Sequence, residues 1–515
     1  MKNIIRISGI FQVLVGAGIW GIWVLSFLRG AIPELQSEPF RIAMHLLAEA
    51  CTGSMLLLSG LGILLTGKKR TILFQVAMGA LLYTLIASPG YFAQHGQWGA
   101  VGLFMGMLVL TVAFILYQGT DRTIKIKRTL VLAAGALFGL CSCQTESYIE
   151  YDQGLPILHL EGSPYERGAA YGRMLDKEIH ETVERWKEEV ESTCGRDFQE
   201  VLDDFFSSTS FRQDMERTDP DLLDEVYGMS ESCRIGFQTL LAFQMSEELF
   251  AVMDAGAGSN CTSIGKAGTD STVTILAQNM DPPQFLHGHP ILLHIIPENG
   301  DPQYLVFSVP GLFGLAGMNE KGVAVTCMGM SMLNHAQTGL PVVSVVRKIL
   351  GVPGLEEAEA FIRQTSFAIP QCYGVGGPGG VRCFECSANQ VSEFYPFEDC
   401  DLILHTNFSV NNRDFNRGFK ELLAQYQKTV DDPYYCPRYF HAYDEIEKVN
   451  RNLDRQRIGN ILRLPEPELE PILNAHTLGT LVMELDSDPT LYLALGHQGN
   501  EPFQAYSFTD LSMQR

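Results

Sequence analysis

Basic residues are scarce in this chain of 515: 37 Lys and Arg stand against 59 Asp and Glu, a formal net charge of −22. That deficit leaves no basic surface suited to nucleic acid, which is excluded as a partner. Cysteines at paired metal spacing are missing too. Cys383 and Cys386, in VRCFECSANQ, make a lone CxxC with no second pair, and read as strand residues rather than a zinc or redox centre. GVGGPGG, Gly374 to Gly380, lacks the Lys-Ser/Thr ending and the following helix of a phosphate loop, so it reads as a loop between strands. His287, His289 and His294 in LHGHPILLH have no carboxylate at useful spacing and read as half-exposed strand histidines. No metal or cofactor is implied, and there is no internal repeat or low-complexity tract.

What is present divides the chain. Residues 1–128 hold 11 Lys/Arg against 4 Asp/Glu, so the acidity belongs to the rest. The first part also has long uncharged runs, and a bilayer span takes about 20 apolar residues. Ile7 to Leu28, a stretch around Cys51 to Gly67, and two runs inside the 50-residue tract Thr71 to Thr120 predict four spans. ASPGYFAQHGQWG is the loop dividing the last two. Lys2 and Arg6, then Lys68 to Arg70, then Arg122 to Arg128 fall on alternate loops, which puts the N-terminus inside and residues 146–515 outside the cytoplasm. Between them, Thr129 to Thr145 is a run of 17 uncharged residues, readable as a fifth span or as a lipoprotein-like signal with Leu140, Cys141 and Ser142 before Cys143. A multi-pass protein of the cell membrane is expected, with the bilayer as a partner. Of the twelve cysteines, nine lie beyond residue 145, an odd count that leaves at least one thiol free there.

The outer part begins with a strand and then a helix with a clear start: Ser163 as N-cap, Pro164 in the first position and Glu166 closing a capping box. Acidic helical sequence continues to about residue 254. From Cys261 the apolar runs are strand-like, in layers with helices, which suggests an α+β domain. At the boundary, CTSIGK and TVTILAQNMD flank the turn AGTDS, so a hairpin is predicted in which Cys261 faces Asn279, with Gln278 and Asp281 close by.

A thiol needs a base or a lowered pKa to act as nucleophile. No histidine is near, and an anionic Asp281 would raise the thiol's pKa. A cut between Asn260 and Cys261 would supply another base, a free α-amine with a reference pKa of about 7.7–8.0.

Six strings in order now bear on the matter: EGSPYERGAAYG, CTS, AQNMD, GLAGMNEKGVAV, LHTNFS and LYLALGHQGNEPFQAYSF. Through them residues 155–510 resemble the penicillin acyltransferase group (acyl-coenzyme A:6-aminopenicillanate acyltransferase-like proteins) of cysteine N-terminal-nucleophile hydrolases. The resemblance implies an αββα sandwich and self-cleavage before Cys261. It implies Cys261 as thiol and amine, Asp281 holding the amine, Gln278 and Asn279 lining the site, and Asn407 donating to the oxyanion. Arg417 falls where relatives often carry an arginine. Related bile-salt hydrolases read GRNMD where this chain has Gln278, so the glutamine points to the acyltransferase branch. Asn260 departs from the glycine found before the nucleophile in the acyltransferase.

The expected fold class is thus α+β, an αββα sandwich preceded by an all-α transmembrane bundle. The expected segments are a four-span domain at 1–120, a fifth span or lipoprotein-like segment at 121–145, a helical pro-segment at 146–260 and a sheet-rich catalytic chain at 261–515. The expected activity is hydrolysis or acyl transfer at a linear amide (an N-acyl amino acid, peptide or lipid amide), through an acyl-cysteine on a small-molecule substrate with an apolar acyl group. The alternatives are a choloylglycine-hydrolase-like amidase and a non-catalytic membrane protein on a dead hydrolase fold.

Overall fold

A computed structural model describes residues 2–28, 39–66, 71–87, 98–118, 147–255, 260–397, 401–431, 436–466, 468 and 470–513. The chain divides into two compact units, Met1–Cys143 and Gln144–Arg515. The first is helical: α1 (Lys2–Leu28), α2 (Pro39–Thr66), α3 (Thr71–Ala87) and α4 (Trp98–Gln118). Among the described residues no helix is long and apolar enough to cross a membrane. The expected transmembrane bundle and multi-pass membrane localisation are therefore corrected, and the bilayer loses the basis on which it was named a partner. Counting uncharged residues overlooked how mixed these runs are. Polar Gln12, Thr52, Ser59 and Thr111 are buried in them beside the apolar core of Leu56, Ile63, Phe74, Leu81 and Leu108. Paired glycines bring α1 and α2 together: a Cβ on Gly16 would stand 2.7 Å from the Gly53 carbonyl, and one on Gly60 2.7 Å from that of Gly9. The segment with Cys143 lies outside the described residues.

The second unit opens with the hairpin β1 (Tyr148–Asp152) and β2 (Leu155–Gly162). Then come helices α5 (Pro164–Met174), α6 (Asp176–Cys194), α7 (Phe198–Ser208), α8 (Phe211–Thr218), α9 (Pro220–Cys233), α10 (Phe237–Gln244) and α11 (Ser246–Val252). The Ser163/Glu166 capping box is formed at the start of α5. The second half of the unit alternates strands with helices. It runs β3 (Thr262–Lys266), β4 (Ile275–Met280), β5 (Ile291–Pro297), β6 (Tyr304–Ser308), β7 (Ala316–Asn319), β8 (Ala324–Gly329), α12 (Val342–Leu350), α13 (Leu355–Gln364), β9 (Gln371–Gly377), β10 (Gly380–Cys386), β11 (Val391–Glu393) and β12 (Leu402–His405). It closes with α14 (Arg417–Gln425), α15 (Pro437–Lys448), α16 (Arg455–Leu462), β13 (Gly479–Glu484), β14 (Thr490–Leu495), β15 (Gln504–Ser507) and α17 (Phe508–Met513).

The strands form two sheets, ordered β1-β2-β5-β6-β7-β8-β9-β10-β11 and β12-β3-β4-β13-β14-β15. All pairs are antiparallel except β2 with β5, so the segment before Cys261 gives the larger sheet two of its strands. The sheets face each other, as the Ser263 and Thr326 hydroxyls, 3.0 Å apart, show. Helices α12 and α13 pack on strands of the larger sheet, and α15 and α16 on strands of the smaller. The layers therefore run helix, sheet, sheet, helix, with the apolar residues between them.

GVGGPGG proves to be strand and turn rather than loop, because Gly374, Gly376 and Gly377 belong to β9 and only Pro378 and Gly379 make the turn. The sheets require it: a Cβ on Gly376 would stand 2.6 Å from Leu485 Cδ1 and one on Gly374 2.5 Å from Thr326 Oγ1. Of the three histidines, only His294 is in a strand, and it is buried, its Nδ1 2.9 Å from that of His159.

Candidate active site

β3 and β4 do form the predicted hairpin, but Thr262, not Cys261, is the partner of Asn279. A slip of one residue sends a side chain to the other face of a sheet. Asn279 accordingly turns away from the space between the sheets. Its Nδ2 donates to the carbonyls of Leu462 (2.6 Å) and Ile472 (2.9 Å), and its Oδ1 accepts from Thr480. It anchors the segment after α16 and does not line the site with Cys261.

Cys261 sits just ahead of β3, 3 % exposed, while Asn260 beside it is exposed. The Asp281 backbone N–H points at the Cys261 sulfur, 3.5 Å away. Burial first, and then the negative charge of Asp281, push the thiol up to about 12, so it is protonated at neutral pH. Gln278, at the other side of the thiol, clasps the opposite sheet. Its Nε2 donates to the Cys327 carbonyl (2.6 Å) and its Oε1 accepts from the Cys327 N–H (3.3 Å).

Asp281 is 1 % exposed. The Asn474 amide donates to its Oδ2 at 2.5 Å, while Oδ1 is buried without a hydrogen-bond partner among the described residues. Burial pushes this carboxyl up to about 7, against the opposing pull of Thr477, Asn474 and Arg438. A buried carboxylate oxygen with no donor is costly. Such an oxygen is ready to receive a cation.

Arg438 is the site residue that the sequence reading missed. It is 4 % exposed, and its Nη1 donates to the carbonyls of Asn260 (2.5 Å) and Cys261 (2.7 Å) and to Thr262 Oγ1 (3.1 Å). Its Nη2 donates to Asn407 Oδ1 at 3.3 Å, and Asn407 Nδ2 donates to the Gly329 carbonyl at 3.1 Å. One guanidinium thus links Asn407 to both carbonyls at the Asn260–Cys261 bond. Arg417 is elsewhere: its side chain, 91 % exposed, pairs with Glu421 one turn along α14. The only local hint of Arg438 is its place after Pro437 at the start of a helix.

A cleft with a cavity volume of about 160 Å³ opens beside the junction, lined among others by Asn260, Asp281, Gln284 and His476, and by Glu189, Thr193 and Phe250 from ahead of the junction. Among the described residues, the structure thus brings together Cys261, Gln278, Asp281, Asn407 and Arg438, and leaves Asn279 and Arg417 out.

A domain of unknown function (DUF8058) matches residues 2–129. An uncharacterised protein of Archaeoglobus fulgidus is 24% identical over 326 residues, covering 56% of this chain and 52% of its own length. The chain therefore spans about half the length of that relative. Among solved structures, a mutant conjugated bile acid hydrolase from Clostridium perfringens is similar at 14% identity and TM-score 0.34, covering 48% of this chain and 93% of its own. Penicillin V acylase from Agrobacterium tumefaciens is similar at 12% identity and TM-score 0.29, covering 48% and 86%. At such scores neither likeness bears on the chemistry of this chain.

Proposed function

We propose that residues 144–515 form a cysteine N-terminal-nucleophile amidohydrolase or acyltransferase that cuts itself between Asn260 and Cys261 and then cleaves a linear amide. The observation that carries this reading is Arg438: a buried guanidinium holds the carbonyls on both sides of the one peptide bond whose cleavage would free a cysteine amine beside a carboxylate oxygen that has no hydrogen-bond partner among the described residues.

In the first step Cys261 Sγ attacks the Asn260 carbonyl carbon, and Arg438 Nη1 stabilises the negative charge that develops on its oxygen. The thiol proton passes to the Cys261 nitrogen as the C–N bond breaks, giving a thioester. Water hydrolyses it, leaving an Asn260 carboxylate and a Cys261 amine. That amine, held by Asp281, takes the thiol proton, and the thiolate attacks the substrate carbonyl. Asn407 donates to the oxyanion, the leaving amine receives the proton, and water or a second amine removes the acyl group from sulfur. The substrate class is an N-acyl amino acid, peptide or lipid amide with an apolar acyl group.

The cut need not separate the pieces. Tyr171 donates to the Val309 and Leu312 carbonyls, Gln244 clasps Gly311 and Phe313, and β2 pairs with β5 across the junction. The test is the purified full chain on a denaturing gel. Wild type should give two chains, the second beginning at Cys261 by mass spectrometry, and hydrolyse N-acyl amino acids; Cys261→Ala should remain one inactive chain. An intact wild-type chain without thiol-dependent amidase activity would sink the proposal.

A further inference from the structure

A second constellation lies between the sheets, outside the site just described. β9 and β10 pair with Cys372 opposite Glu385 and Cys383 opposite Gly374. Alternation along a strand then puts Cys372, Cys383 and Glu385 on one shared face. His405, the last residue of β12 in the other sheet, comes to meet them. The two sulfurs are 3.4 Å apart, and one donor atom from each of Cys372, Cys383 and His405 lies within 4.8 Å of the others. All three residues are at most 1 % exposed.

We propose that Cys372, Cys383 and His405 bind a thiophilic divalent metal ion, zinc being the chemistry that fits best. The sulfur separation is far beyond a disulfide bond of about 2.05 Å, so these are two thiols. It is close to the ligand-to-ligand edge of about 3.4–3.8 Å that tetrahedral zinc imposes at ordinary Zn–S and Zn–N distances. Two thiolates and a neutral imidazole balance the charge of a dication, and binding releases the two thiol protons.

Glu385 stands beside the site, against the His405 ring. Its carboxylate receives the backbone N–H groups of Val410, Asn411 and Asn412 and the Ser409 hydroxyl, and its Oε1 is 2.9 Å from His405 Nε2. Ligating histidines commonly use their second nitrogen in this way. The other nitrogen, Nδ1, is 2.5 Å from the Thr406 carbonyl. The ion displaces one of these two contacts, and the other keeps the ring in place. Bound there, the ion ties β9 and β10 to the end of β12, two residues before Asn407.

The lone CxxC was no guide to this site. Cys386 is three residues from Cys383, hence on the opposite face of β10, and the thiol that approaches Cys383 comes from across the hairpin.

The proposal is independent of Cys261 chemistry and is tested on the full chain, with or without self-cleavage. Wild-type protein purified without chelator should contain about one equivalent of zinc, and replacing it with Co²⁺ should produce a thiolate-to-cobalt charge-transfer band. Cys372→Ser and Cys383→Ser should each lose the band, while Cys386→Ser keeps it. Wild-type metal content does not depend on how any variant folds. Absence of both zinc and the cobalt band in folded wild type, or a Cys372–Cys383 disulfide in its mass spectrum, overturns the assignment.

Discussion

Two buried carboxylates in the second unit have opposite surroundings. Glu225, fully buried, is gripped by Arg167 and Arg347, with four N–H groups at 2.7–2.9 Å from its two oxygens. Burial alone would raise its pKa, but Arg347 and Arg167 outweigh it and hold the carboxyl below its ordinary value. Asp281, equally buried, has one oxygen bonded to Asn474 and the other without a hydrogen-bond partner among the described residues, and burial drives it up to about 7. The first is a finished structural joint between a helix ahead of Cys261 and one beyond it, since Arg347 belongs to α12. The second is left incomplete. A buried charge that is fully paired holds a fold together, whereas one that is half paired marks a place where another group is meant to come.

Asp281→Asn should produce the largest separation between the two. Amidase activity is expected to vanish, while in the uncut Cys261→Ala chain, where no amine pairs with the carboxylate, the same change should hold or raise the melting temperature at pH 8, because a buried unpaired charge is removed. A matching loss of stability would place Asp281 with Glu225 as structure. Arg347→Ala should do the reverse and leave Glu225 with a single partner, at a cost of about 3–5 kcal/mol in urea unfolding. Asn407→Ala should lower kcat by about 100- to 1000-fold with little change in the urea midpoint, as loss of an oxyanion donor does; an unchanged kcat would remove it from the mechanism.

The smallest effect is a pH trend that should differ in sign between the regions. The lowered pKa of Glu225 gives stability that is present above the ordinary carboxylate range and lost in acid. In the uncut chain Asp281, raised to about 7, and Glu248, raised by burial to about 8, are the reverse. Their contribution is fully present below about pH 4, where unfolded carboxyls are protonated, and is lost as pH rises through 7 and 8. Urea midpoints across pH 4–9 should show Glu248→Gln flattening the alkaline side alone. A flattened acid side would reverse the assignment.

Much of the site could be read along the chain because its parts are local. Cys261, Gln278 and Asp281 belong to one hairpin, and a turn signal between two apolar runs suffices to bring them together. The string EGSPYERGAAYG also has a local reading, the capping box, but its Gly168 answers to a distant partner: a Cβ there would stand 1.8 Å from the Glu225 carbonyl oxygen. Asn279 was misplaced because alternation is unforgiving, and an error of one residue in register changes its face. Spacing along the chain points to Arg417 and passes over Arg438, because spacing carries no measure of burial. The helices of the first unit were misjudged because absence of charge is not the same as uniform apolarity.

Composition and short-range physics make three features legible along the chain: the hairpin that carries Cys261 and Asp281, the capped helix start at Ser163, and the split into a weakly basic first part and an acidic second. Long-range packing sets the rest: which face Asn279 takes, that Arg438 reaches the Asn260–Cys261 bond, and that Cys372 and Cys383 meet His405. Those contacts join residues far apart along the chain, Asn260 and Arg438 being 178 positions apart. They depend on two sheets closing on each other, which no local pattern of residues encodes.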